Sequence, residues 1–171
     1  MNRIAKFEKV SFEQYAQAIR KIDPARTDDK IRLVYDSIRL PSRATEGSAG
    51  YDFYAPEEVS LEPGAQILIP TGIRVRIDSG FVLLLLPRSS LGFKYRLQLN
   101  NTAGVIDSDY YNADNEGHIF CKLTNDSRDE KSVVIHAGDG MVQGIFLPFG
   151  ITEDDDAHAK RTGGFGSTTG K

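Results

Sequence analysis

Thr71-Gly72-Ile73-Arg74-Val75-Arg76-Ile77-Asp78-Ser79-Gly80-Phe81-Val82-Leu83-Leu84-Leu85-Leu86-Pro87 is the stretch that decides the fold. Ile73, Val75 and Ile77 alternate with polar residues, the period of a half-buried strand. Asp78-Ser79-Gly80 is turn chemistry, and the apolar run that follows stops at Pro87. Reading outward, further short strands are expected at about 51–55, 58–61 and 65–69 on one side. On the other they are expected near 96–100, 104–107, 117–124, 132–136 and 141–148. Glu62-Pro63-Gly64 and Ala137-Gly138-Asp139-Gly140 punctuate them. So many close-spaced strands, without an alternating βαβ pattern, predict an all-β barrel or sandwich and exclude a doubly wound nucleotide-binding sheet.

Toward the N-terminus, Phe12, Tyr15, Ala16, Ile19 and Ile22 recur at helical spacing and Pro24 ends the pattern. Ser11 is the expected N-cap, with Gln14 completing a capping box. Ile31-Leu33-Tyr35 alternates and reads as a strand. At the other end, Glu153 to Asp156 is acidic, and Arg161 to Lys171 is mostly Gly, Ser and Thr, too polar to order itself alone. The expected organisation is an N-terminal extension (1–30), a β-barrel domain (31–152) and a flexible C-terminal lid (153–171).

At 171 residues, one domain suffices for a sizeable core. The net charge of -3 argues against direct nucleic-acid binding through a general field. The single cysteine, Cys121, alternates with Ile119 and Leu123 and reads as a buried thiol. The N-terminus lacks the apolar run of a signal peptide, and Phe81 to Pro87 is too short to span a bilayer. A cytoplasmic location with no membrane association is the expectation.

Several segments carry chemistry. Thr45 to Asp52 is a small-residue loop that delivers a carboxylate, Asp52, to the start of a strand, where it is either solvated or functional. Arg88, Ser89 and Ser90 leave the most apolar strand and suit phosphate oxygens; an arginine paired structurally to a carboxylate is the plainer reading. Asn100 to Tyr110 looks like a hairpin with exposed backbone, where one amide side chain and backbone groups can read a pyrimidine. Asp107 closes an apolar pair there, as a partly desolvated general base or as a turn aspartate capping its own backbone. Gln143, among Val142, Ile145 and Phe146, needs a partner, either a ligand or a neighbouring backbone group. In the tail, Arg161 and Phe165 are the residue types that hold a phosphate and stack on a base.

Taken in order, these segments resemble the motifs of the trimeric dUTPase family, from about Leu40 to Gly170. The resemblance implies a distorted jelly-roll β-barrel with a short N-terminal helix and a flexible C-terminal tail. It implies a homotrimer whose active sites draw on all the chains. The implied activity is that of a dUTP diphosphatase, cutting dUTP to dUMP and pyrophosphate with Mg²⁺. Such an activity limits uracil incorporation into DNA and supplies dUMP. By similarity, Asp107 activates the water that attacks the α-phosphorus. Asn101 reads uracil, Ile106 packs on the nucleoside, and Tyr110 lies against the deoxyribose. Arg88, Ser89, Ser90 and Gln143 contact phosphates or the catalytic water. Asp52 supports the magnesium site through water. Arg161, Gly166, Ser167 and Thr168 close on the γ-phosphate while Phe165 covers the base.

Departures from the family pattern are Tyr111 to Glu116, an insertion after Tyr110; Gly140, where arginine is common; and Thr162, where glycine is usual. A related dCTP deaminase needs a glutamate near His118 to Asn125, where this chain has Lys122. A nucleotide-sensing protein of the same fold is the remaining alternative, although every expected catalytic side chain is present. His118, His136 and His158 lie too far apart in sequence, with no cysteine pair beside them, to predict zinc.

Overall fold

Residues 2–159, 161 and 163 are described by the structure, a computed structural model. β6 (Ile73–Ile77) and β7 (Phe81–Pro87) form where expected, yet they do not pair with each other. Their turn carries the chain from one sheet to another. β6 pairs antiparallel with β1 (Ala5–Lys9). β7 enters a five-stranded sheet in the order β2 (Ser42–Arg43), β3 (Tyr51–Tyr54), β12 (Gly140–Pro148), β7, β9 (Gly104–Ile106). A second sheet orders β5 (Gln66–Pro70), β10 (Phe120–Asn125) and β8 (Leu97–Leu99); β4 (Val59–Leu61) pairs with β11 (Val133–Ile135). The result is an all-β, jelly-roll-like fold.

Alternation decides which side chains fill it. Phe53, Leu83, Leu85, Leu97, Leu99, Leu123, Val133 and Ile135 all point inward and are buried. Each stabilises the fold by about 1.5–3 kcal/mol relative to exposure. Cys121 is buried among them, as expected, and burial pushes its thiol up to about 12. No helix among the described residues is long and apolar enough to cross a membrane.

The N-terminal segment is built into this core. α1 (Phe12–Ile22) follows the expected pattern, with Tyr15, Ala16 and Ile19 buried. Ser11 Oγ accepts from Gln14 N at 3.1 Å, the first half of the expected box. The other half is different: Ser11 N donates to Glu116 Oε2 at 2.8 Å, so a distant carboxylate does what the Gln14 side chain was expected to do. The strand expected over Ile31–Tyr35 is instead part of α2 (Asp28–Ser37). Ile31, Val34 and Tyr35 have helical spacing too, and Asp28 and Asp29 favour a helix N-terminus. Packing settles the ambiguity: Ile31 is buried, Leu33 is exposed, and Tyr35 meets Tyr15 at 5.7 Å between ring centroids. The boundary at 30/31 falls inside this helix.

Two loops also differ from expectation. Ser89 and Ser90, expected simply to leave β7, instead open the short helix α3 (Ser89–Tyr95). The expected Asn100–Tyr110 hairpin is a sheet-switching connection: β8 pairs with β10 while β9 pairs with β7. Ser108–Asn112 then closes a 3-10 turn.

His118 is fully buried beside this turn and accepts from Gly72 N–H through Nε2 at 2.9 Å, so its neutral form carries the proton on Nδ1. Burial lowers its pKa from 6.5 to about 4, against a weak upward pull from Glu116. Below pH 6.5 the unfolded chain takes up a proton that the folded chain refuses. Stability should therefore fall by about 3 kcal/mol as pH drops from roughly 6.5 to 4. His118→Gln, which keeps an acceptor but cannot titrate, should flatten this limb in urea unfolding measured across that range. Equal slopes in both proteins would remove His118 from the account.

Candidate functional site

One group of expected site residues gathers where β7 ends. Antiparallel register sets Asp52 on β3 opposite Gln143 on β12, and Gln143 opposite Leu86 on β7. Arg88 follows β7 as the N-cap of α3, and its Nε lies 3.4 Å from Asp52 Oδ1. Its Nη1 reaches Gly140 O at 3.5 Å. A Cβ on Gly140 would sit 3.1 Å from the Arg88 guanidinium, so the arginine usual in the family would crowd this pair. With Asp52 only 18% exposed, the ion pair orients both groups more than it adds stability. The plainer reading of Arg88, pairing with a carboxylate, is what this arrangement shows, and it leaves the guanidinium edge partly open. Ser89 and Ser90 are exposed beside it. The Gln143 side chain lies against Gly50, where a Cβ would meet Oε1 at 2.1 Å.

The second group sits beyond the far end of β9. Asp107 does not cap its own turn. Its Oδ2 instead accepts from Arg161 Nη2 at 3.0 Å, and Arg161 Nε lies 3.4 Å from Asp109 Oδ1. The Asp107 side chain is 48% exposed even so, while Arg161 is nearly covered. Arg161 also lies over the Tyr110 ring at 5.4 Å. The Tyr110 hydroxyl donates to His118 O at 2.7 Å and accepts from Asn115 Nδ2 at 2.8 Å, so the phenol end is fixed inward. Asn101, in the connection before β9, is exposed with its amide unengaged among the described residues. Tyr110, 2% exposed, lies beneath Arg161; Ile106 departs from expectation in being 1% exposed and turned into the core. Strand alternation turns Val105 outward in its place. Phe165, Gly166, Ser167 and Thr168 lie outside the described residues.

The two groups do not meet within one chain. β7 pairs Leu83 with Ile106, and continuing that register sets Asp107 beside Val82. From there to Arg88 is a run of about 20 Å along the strand, at roughly 3.3 Å per residue.

Lys122, at the position a deaminase needs an acid, is exposed on β10. No group of three or more His, Cys, Asp or Glu capable of holding a metal occurs among the described residues. His136 pairs with Glu58 at 2.9 Å.

The profile of the dUTPase family matches residues 36–169. The chain belongs to the dUTPase family. It is 50% identical over 134 residues to the deoxyuridine 5'-triphosphate nucleotidohydrolase of Lactococcus lactis subsp. lactis (strain IL1403), covering 77% of this chain and 88% of that protein. The dUTPase structure from Streptococcus mutans superposes with a TM-score of 0.62 at 35% identity, over 86% of this chain and 98% of that one. A mutant dUTPase from phage phi11 of S. aureus, described with a structural Mg(II) ion, shares the fold at a TM-score of 0.63 and 21% identity, over 92% and 98%. The activity is hydrolysis of dUTP.

With dUTPase chemistry assigned, the residues that sequence reasoning passed over are those that hold others in place. Asp109 grips Arg161; Asn115 and the His118 carbonyl hold Tyr110. The Asp107-Ser108-Asp109 spacing was the visible clue to the first. The hydrogen bonds of Tyr110 depend on how the insertion folds and left none.

Gly50→Ala should push the flexible end of Gln143 aside without disturbing the strands. The expected result is a melting temperature within a few degrees of the parent, with kcat/KM for dUTP down about tenfold, or ~1.4 kcal/mol. Undiminished kcat/KM would show that the Gln143 position does not matter.

Proposed function

We propose that dUTP is cleaved between its α- and β-phosphorus at a site completed between copies of this chain, with Asp107 as general base. The separation of Asp107 from Arg88 along β7 carries this reading: no single triphosphate is held by both in one subunit. A homotrimer bringing the β7 end of one copy to the β9 end of another resolves it.

The reaction balances simply. A water attacks the α-phosphorus in line and gives its proton to Asp107; the bond to the bridging oxygen breaks and pyrophosphate leaves. Positioning and charge neutralisation do most of the work in phosphoryl transfer. Asp107 must first be released, because Arg161 occupies a carboxylate oxygen that has to accept from the attacking water. A triphosphate is a stronger competitor for Arg161 than either aspartate, so substrate arrival transfers Arg161 to phosphate and frees the carboxylate. Asn101 and nearby backbone read the uracil edge, and the Tyr110 ring face, now under Arg161, becomes the wall against the deoxyribose.

The donors present suit Mg²⁺ bound mainly by triphosphate oxygens and water, since Asp52 is a single carboxylate already shared with Arg88. Bound there, the ion would neutralise phosphate charge, with Asp52 holding one of its waters. Chelation should abolish turnover while leaving the melting curve of the nucleotide-free protein unchanged; unfolding on chelation would contradict this placement.

Asp107→Asn should retain dUTP binding and lose about 10²–10⁴ in kcat. Refolding it together with Arg88→Ala should restore activity, because about a quarter of sites in randomly mixed assemblies carry both intact halves. A mixture no more active than its components would exclude a shared site.

A further inference from the structure

Tyr111–Glu116 lengthens the connection after Tyr110, and it is held by residues from the N-terminal segment. Glu116 sits at φ +57, a conformation L residues rarely adopt, so something must hold it there. Its carboxylate clasps Ser11 twice: Oε2 accepts from the backbone N–H at 2.8 Å and Oε1 from the hydroxyl at 2.6 Å. Arg74 on β6 backs the clasp, donating through Nη2 to Tyr111 O at 2.7 Å and stacking on the Tyr111 ring at 3.6 Å. Glu8 on β1 accepts from the Tyr111 hydroxyl at 2.6 Å.

What this clasp fixes is the phenol end of Tyr110. Glu116 N donates to Ala113 O at 2.8 Å and closes the turn that contains Asn115. Asn115 donates to the Tyr110 hydroxyl, and its Oδ1 accepts from Gly117 N at 3.2 Å. Gly117, at φ +68, lies so close that a Cβ there would meet Tyr110 O at 2.7 Å. The Tyr110 hydroxyl in turn donates to His118 O, whose ring is anchored by Gly72. The ring face beneath Arg161 is thus set by a chain of contacts that begins at the α1 N-cap, before the residues matched by the family profile.

We infer that Glu116 is a positioning residue for sugar discrimination: by clasping Ser11 it locks the 111–117 turn, so that Asn115 and His118 hold the Tyr110 ring where a ribose 2′-hydroxyl has no room. The inference rests on the reading of Tyr110 as the sugar wall.

The test compares kcat and KM for dUTP and UTP in the full-length enzyme. Glu116→Ala should lower the dUTP/UTP ratio of kcat/KM about tenfold while kcat for dUTP stays within about threefold, since the Glu116 carboxylate is engaged by Ser11 and has no part in the proposed chemistry. Ser11→Ala should shift the ratio the same way but less, because its backbone N–H still donates, and Ser11→Thr should restore it. In a Tyr110→Ala background, Glu116→Ala should change the ratio no further. If Glu116→Ala fails to fold, the Ser11→Ala and Ser11→Thr pair decides alone. A lowered ratio in Tyr110→Ala alongside wild-type ratios in the Glu116 and Ser11 variants would overturn the inference and leave the sugar wall standing. An unchanged ratio in Tyr110→Ala would show that the wall itself is elsewhere, and the inference would fall with it.

Discussion

The register of β7 is the constraint on which the rest depends. Its hydrogen bonds to β12 on one side and β9 on the other fix where Arg88 and Asp107 emerge. Neither can slip by one residue, because that would turn Leu83 and Leu85 out of the core. A seven-residue strand between two such ladders is a rigid spacer. It keeps Arg88 and Asp107 apart in one chain, and in the proposed mechanism that separation makes association a requirement of catalysis.

Electrostatics follow the same division. With a net charge of -3, the surface offers a polyanion no general attraction, so binding must come from individual cations. Each group supplies one arginine, and each arginine is already paired with a carboxylate: Arg88 with Asp52, Arg161 with Asp107 and Asp109. These pairs keep the charges oriented and partly neutralised; in the mechanism proposed above, substrate exchanges into them. Arg161 is the more consequential in that mechanism, since its partner is the proposed base.

Much of this was legible in the sequence, and the failures are instructive. Strands with clear alternation, such as Ile73–Ile77 and Phe120–Asn125, were found within a residue or two at most ends. α2 was misread because Ile31-Arg32-Leu33-Val34-Tyr35 satisfies both periods, and only packing against α1 separates them. The hairpin reading of Asn100–Tyr110 failed because local turn chemistry does not say which sheet the next strand joins. Asp107 was singled out from its apolar neighbours, whereas the inward turn of Ile106 depends on which face of β9 meets the core. Glu116 could not be found at all from spacing, since its partner Ser11 lies 105 residues away.

A crystal structure of the full-length protein with a non-hydrolysable dUTP analogue and magnesium tests the central claim most directly. The account predicts one triphosphate touched by Arg88 of one copy, with Asp107 of another copy holding a water in line with the α-phosphorus and Arg161 withdrawn from that carboxylate. A nucleotide bound wholly within one chain, or an Asp107 still clasped by Arg161 with no water before the phosphorus, would contradict it.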